Sequence, residues 1–260
     1  MIIAAFESVG FAVAGVHAWR LLTSKSAKLF HQKGMIIALI FASVAAIIQP
    51  VSGDLLAKLT AQIQPLKLAA MEAHYETQQQ APLLLGGIVN EQEEKISYAI
   101  EIPQLLSFLA YDDTQATVKG IKDFPKDERP PIAPVRYSFE IMVILGTILA
   151  GIGALFLLLF FFRKNLLTNN LFLKLIIFSI PLGFISIEAG WTVTEVGRQP
   201  WIIYGIMKTK DALTPMPGVF YTFLGVTLLY LFLSFFAVWL LYRQILKIER
   251  TETIGVEKNA

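Results

Sequence analysis

The chain has 260 residues; 55% are apolar or aromatic, only 16% are charged, the net charge is +2 and there is no cysteine. That balance is too apolar for a soluble domain and points to a polytopic membrane protein. The missing thiols exclude disulfides, cysteine-held iron–sulfur clusters and a covalently attached heme, and the scattered basic residues leave no nucleic-acid footprint.

Five apolar stretches approach the ~20 residues that a bilayer crossing needs. The first, 1–22, carries an acid at Glu7 and an imidazole at His17. Behind it Arg20, Lys25, Lys28 and Lys33 form a basic loop without an acid, which also holds His31. The second stretch is 34–51, so residues 1–51 read as two membrane helices joined by that loop.

Residues 52–137 form a connection too long to be structureless in an ordinary domain. Its first part, 64–77, is rich in helix formers behind Pro65. Its second, 98–109, is amphipathic and suits a membrane interface. Its third, 122–131, is a polar, proline-rich return. The pair 138–162 and 171–194 follows, with Arg163, Lys164 and Lys174 near the turn between them. Pro181 is expected to kink the second of these. In the first, Gly146, Gly151 and Gly153 suggest close packing. Residues 195–217 form a short loop, 218–242 the fifth stretch, and 243–260 a tail with Arg243, Lys247 and Arg250. From Glu249 onward the tail is expected to be disordered. The three basic flanks alternate along the chain, which places them in the cytoplasm and puts 52–137 and 195–217 outside. Met1 then falls outside, within an apolar helix and without a basic lead-in, so the chain is expected to continue upstream.

Glu195 closes the fourth stretch beside Arg198, with Trp191 one turn below and Glu188 two turns below on the same face. Ionisable groups at such depth mark a cofactor, an ion path or a partner charge. Read alone, Glu195 and Arg198 also make an ordinary i,i+3 interfacial pair. A metal in this chain must be held by His, Met, Glu, Asp or Tyr. His17 and His31 read as interfacial groups of the cytoplasmic side, and His74 lies in the long connection. Met142, one turn inside the third stretch, is on residue type alone core or lipid-facing filler. Lys67 and Glu72 are five residues apart, about 140° around a helix, so they do not stack; spacing alone reads them as scattered charge on a solvated helix.

Three strings change that reading. Trp191-Thr-Val-Thr-Glu195-Val-Gly-Arg198-Gln-Pro-Trp201, Lys67-Leu-Ala-Ala-Met-Glu72-Ala after Gly53-Asp54, and Ser138-Phe-Glu-Ile-Met142-Val-Ile-Leu-Gly together resemble subunit I of the cytochrome bd quinol oxidases. The resemblance implies an all-α, polytopic transmembrane helical bundle with a large extracytoplasmic quinol-binding loop, here the last five of nine membrane helices. It implies Met142 as the thioether ligand of low-spin heme b558 and Glu195 as the carboxylate ligand of high-spin heme b595. Heme d would be held mainly by residues upstream of this chain. Trp191 would pack on a porphyrin, Arg198 would pair with a propionate, and Glu188 would be a proton relay or a hydrogen-bonded structural acid. Lys67 and Glu72 would serve quinol oxidation, with His74 a second proton group. The Glu140 position varies in the family, and its charge would bear on the nearby heme.

The partners implied are quinol, oxygen, the upstream half of subunit I, subunit II, a small single-helix subunit and membrane lipid, in a bacterial or archaeal plasma membrane. Quinol oxidation outside, with electrons passing through the b hemes to heme d, would generate a proton-motive force. The chain alone is not expected to be active. A second class of function stays open on the residues: an ion-coupled transporter or channel using Glu7, Glu188 and Glu195.

Overall fold

Apolar runs that must satisfy every backbone group internally become helices, and the computed structural model, which describes residues 2–23, 28–213 and 216–258, has seven. They are α1 (Ile2–Thr23), α2 (Lys28–Ile63), the short α3 (Pro65–Glu72) and α4 (Leu105–Tyr111), then α5 (Ile132–Phe162), α6 (Asn170–Val196) and α7 (Val219–Lys258). Among the described residues, α1, α2, α5, α6 and the 219–244 part of α7 are long and apolar enough to cross a membrane. The chain is a mostly helical, multi-pass membrane protein.

α1 packs on α2 and α6, and α5 packs on the same two, so four helices close a ring around Phe11, Met35, Leu39, Leu149, Phe156 and Ile176. Small residues let the backbones approach, as in other membrane bundles. A Cβ added at Gly183 would stand 2.6 Å from Ser8 Oγ, and one at Gly10 would stand 2.8 Å from Ala42 Cβ. Gly153 meets α2 at Ser43, while Gly146 and Gly151 have nothing among the described residues within 4 Å. None of the described side chains of α7 is buried.

Residues 64–131 fold into a cap over one end of the ring. α3 opens with Pro65 in its first turn and closes at Ala73, which sits at φ 44°, while the His74 N–H donates to Ala69 O at 2.8 Å. Three antiparallel pairs follow: β1 (Gln78–Gln79) with β6 (Thr117–Val118), β2 (Leu83–Leu85) with β5 (Ile100–Ile102), and β3 (Ile88–Asn90) with β4 (Lys95–Ser97). Gly86 and Gly87, at φ 68° and 93°, turn the chain from β2 into β3 in a conformation open to glycine. The cap buries Ala69, Ala70, Tyr75 and Ile121 against Val135 of α5 and Val193 of α6. A hairpin of β7 (Trp201–Ile203) and β8 (Met207–Lys208), entered through a cis Gln199–Pro200 bond, leans on the cap where Lys208 pairs with Asp127 at 2.7 Å.

Several expectations need correction. α2 runs to Ile63 rather than ending near 51, so Gly53 and Asp54 lie inside a helix. The residues beyond 51 are mostly good helix formers, and Asp54 and Lys58 pair at i,i+4. The 98–109 stretch is not one amphipathic element but β5 followed by α4. The tail beyond Glu249 continues α7 as helix to Lys258. His17 and His31 are not separate interfacial groups: their Nδ1 atoms are 2.9 Å apart and His31 is buried. Gly34 makes room for that ring, since a Cβ there would stand 2.7 Å from His17 Nε2.

Candidate functional site

Three neighbouring clusters lie where α3, the start of α5 and the end of α6 converge. In the first, α3 carries Glu72 inward against α5, where Arg136 Nη1 donates to Glu72 Oε2 at 3.0 Å. Nη2 donates to Glu140 Oε1 at 2.7 Å and to the Leu84 carbonyl. The Gly86 N–H also donates to Glu140 Oε1, at 2.7 Å. Arg136 is 2% exposed and Glu72 6%, so this is a buried ion network and not solvated loop charge. Burial pushes the Glu72 carboxyl up to about 7, with the Arg136 guanidinium pulling it down and Glu140 adding to the rise. His74 is buried nearby, and burial lowers its pKa.

The second cluster gathers around Lys67. Its Nζ lies 3.4 Å from Thr194 O, and Glu195 and Arg198 are the charges acting on it, while burial lowers its pKa. Arg198 Nη2 donates to Glu195 Oε2 at 2.5 Å, the i,i+3 pair that the spacing allows. A cavity of about 220 Å³ opens here between Gln64, Lys67, Thr194, Arg198, Trp201, Ile202 and Tyr204. Two cations and two aromatic rings line it, which suits an anionic group on a flat, conjugated body. Lys67 and Glu72 are therefore not brought together. The 140° between them sends one to the end of α6 and the other to α5.

The third cluster is a face of α6 that no helix among the described residues covers. Phe184, Ile185, Glu188 and Trp191 are exposed along it, Trp191 at 55%, and half-exposed Glu195 closes the row. Glu188 thus lies on an open face of this chain. Met142 reaches this region from α5: its Sδ fills the space above Gly190, where a Cβ would stand 2.9 Å away. Ser186 Oγ donates to the Met142 carbonyl at 3.2 Å, fixing the two helices in register.

Among the described residues no three His, Cys, Asp or Glu side chains gather as a metal cluster. The donors suit a porphyrin iron instead, which needs only axial ligands from protein. Met142 offers a soft thioether from a half-buried site, and Glu195 a weak-field carboxylate beside a row of apolar and aromatic side chains open to a flat partner. The residue that sequence reasoning missed is Arg136. Its only local signal was Glu140 at i,i+4.

Over residues 1–248 the chain matches the family model for cytochrome bd terminal oxidase subunit I. The chain belongs to this family. Among relatives of the family, it is 35% identical over 248 residues to the putative cytochrome bd menaquinol oxidase subunit I of Bacillus subtilis (strain 168), covering 93% of this chain and 55% of that one. It is 27% identical over 277 residues to the cytochrome bd-II ubiquinol oxidase subunit 1 of Escherichia coli (strain K12), covering 81% of this chain and 54% of the relative. The solved bd oxidase from Geobacillus thermodenitrificans superposes with a TM-score of 0.82 at 37% identity, over 93% of this chain and 55% of that one. The chain thus spans about 55% of the length of these bd subunits.

Proposed function

We propose that the chain is the C-terminal part of subunit I of a quinol:oxygen oxidoreductase, carrying one ligand each for heme b558 and heme b595. The observation that carries this reading is the convergence of Glu72, Lys67, Met142 and Glu195 at one end of the helix ring in a member of the bd subunit I family. Bound hemes would supply one-electron acceptors and, with heme d held mainly upstream, the centre for reducing oxygen.

The chain's own residues divide the work. Met142 would hold a heme iron through its thioether, and Glu195 would hold another through its carboxylate. Arg198 and Lys67, on the wall of the 220 Å³ cavity, offer positive charge to a propionate, and Trp191 offers an aromatic surface to a porphyrin. Glu188 lies on the same face, available to a partner helix or a proton. Glu72 accepts a proton from quinol, a task suited to a carboxyl poised at about 7. The basic flanks support an orientation with the cap outside, so protons released there stay outside. The upstream half of subunit I, subunit II and a small single-helix subunit would cover the open faces of α6 and α7.

The test is the visible spectrum and quinol-driven oxygen uptake of the purified complex containing this chain. Low- and high-spin b heme bands with quinol turnover are expected. A heme-free complex would overturn the reading.

A further inference from the structure

Arg136 does more than neutralise a neighbour. From α5 it contacts three separate pieces of chain: Glu72 and the Met71 carbonyl on α3, the Leu84 carbonyl in the cap, and Glu140 one turn along its own helix. Gly86 closes the set by donating to the same Glu140 oxygen. A guanidinium is planar and always charged, so it holds two carboxylates in fixed directions, which a lysine cannot do. Carboxylates buried without a cation bind a proton, and a protonated Glu72 has no lone charge with which to take another.

We propose that Arg136 is a positioning residue for quinol oxidation, holding the Glu72 carboxylate ionised and aimed so that it accepts the proton of a quinol hydroxyl. The proposal rests on the quinol-oxidising role given to Glu72 above. Only a proton moves in this step: the quinol O–H bond breaks, leaving a quinolate, and an O–H bond forms on a Glu72 oxygen. The stripe of Tyr137, Ile141 and Ile144, all exposed on α5 beside Glu140, gives an apolar approach to the network.

The charges acting on Glu72 are Arg136 and Glu140, both from α5. The charged groups nearest α3 on the neighbouring elements have partners of their own. Lys122 pairs with Glu76, Asp123 accepts from Thr77, Lys58 of α2 pairs with Asp54 and Asp112, and Lys67 turns to α6. His74 bonds to the Val118 backbone. Arg136 is thus the one cation among the described residues that sets the charge of Glu72.

The experiment uses the assembled, heme-loaded oxidase with Arg136→Gln and Arg136→Lys, and Glu72→Gln to assign the Glu72 carboxylic C=O band by infrared difference. In Arg136→Gln the Glu72 band is expected to titrate at least one pH unit higher than in the parent. The acid limb of quinol kcat/KM should move up with it. Arg136→Lys, which keeps the charge and loses the fork, should give a smaller shift in the same direction together with lower kcat. A loaded Arg136→Gln complex with both the band and the acid limb unmoved overturns the proposal. Should that variant not assemble, unmoved values and full turnover in Arg136→Lys overturn it instead. A parent complex that binds hemes but oxidises no quinol would sink the functional reading, and the infrared shift would still report whether Arg136 sets the charge of Glu72.

Discussion

Replacing Glu72 by glutamine should make the protein more stable at pH 8, although it removes one partner of an ion pair. Glutamine copies the shape and the neutral charge of a protonated Glu72, so the comparison isolates the energy of ionising the buried carboxyl. That group has its ordinary pKa of 4.5 raised to about 7, first by burial and against the pull of Arg136. A carboxyl with a raised folded pKa contributes its stability below about pH 4.5 and loses that contribution as pH climbs through about 7. The difference of about 2.5 pH units corresponds to about 3 kcal/mol at pH 8. For a chain of this size that is several degrees in Tm. Thermal melting of the detergent-purified complex at pH 5 and pH 8 reads the effect. At pH 5 the two proteins should differ by less than about 1 kcal/mol and at pH 8 by about 3 kcal/mol, with Glu72→Gln the higher. A variant that melts at or below the parent at pH 8, or a difference independent of pH, would refute the reasoning. In the expected outcome the parent holds an ionised base at the expense of stability, as functional sites commonly do.

Gly183→Ala places a methyl group 2.6 Å from Ser8 Oγ and 2.7 Å from its Cα. It should force α1 and α6 apart and destabilise by about 1–3 kcal/mol, whereas Gly151→Ala, with open space around it, should leave Tm unchanged within experimental error. Met142→Leu should abolish or shift the low-spin heme bands while the complex still assembles; an unchanged spectrum and potential would strike Met142 from the ligands. Lys67→Ala and Glu72→Ala should both lower quinol turnover, but only Lys67→Ala should disturb the high-spin heme signal, because Lys67 faces Glu195 and Arg198. Equal spectra for both variants would contradict the division of α3 into two sides.

The five long helices were legible because a run of about 20 apolar residues has one solution in lipid. The long connection was legible only in outline. Its strands are two or three residues each, too short for alternation to show, and their pairings join residues as far apart as Gln78 and Val118. Met142, Glu195 and Glu72 stood out through the strings around them. Arg136 did not, since what gives it meaning is a partner 64 positions away that no periodicity connects to it. The contact of His17 with His31 was hidden for a related reason: it depends on how two helices cross, and the sequence showed only that each lay near a basic loop.

α7 has a consequence of scale. Its 40 residues form one helix, about 60 Å long at 1.5 Å per residue, against a hydrocarbon layer of about 30 Å. With 219–244 in the membrane, the remaining residues to Lys258 form a stalk that stands about 20 Å clear of that segment. A fluorophore near its tip would report on events beyond the membrane surface, while one at Tyr221 would sit at the opposite end of the same helix. Distance changes between the two would separate tilting of the helix from its sliding along the bilayer normal.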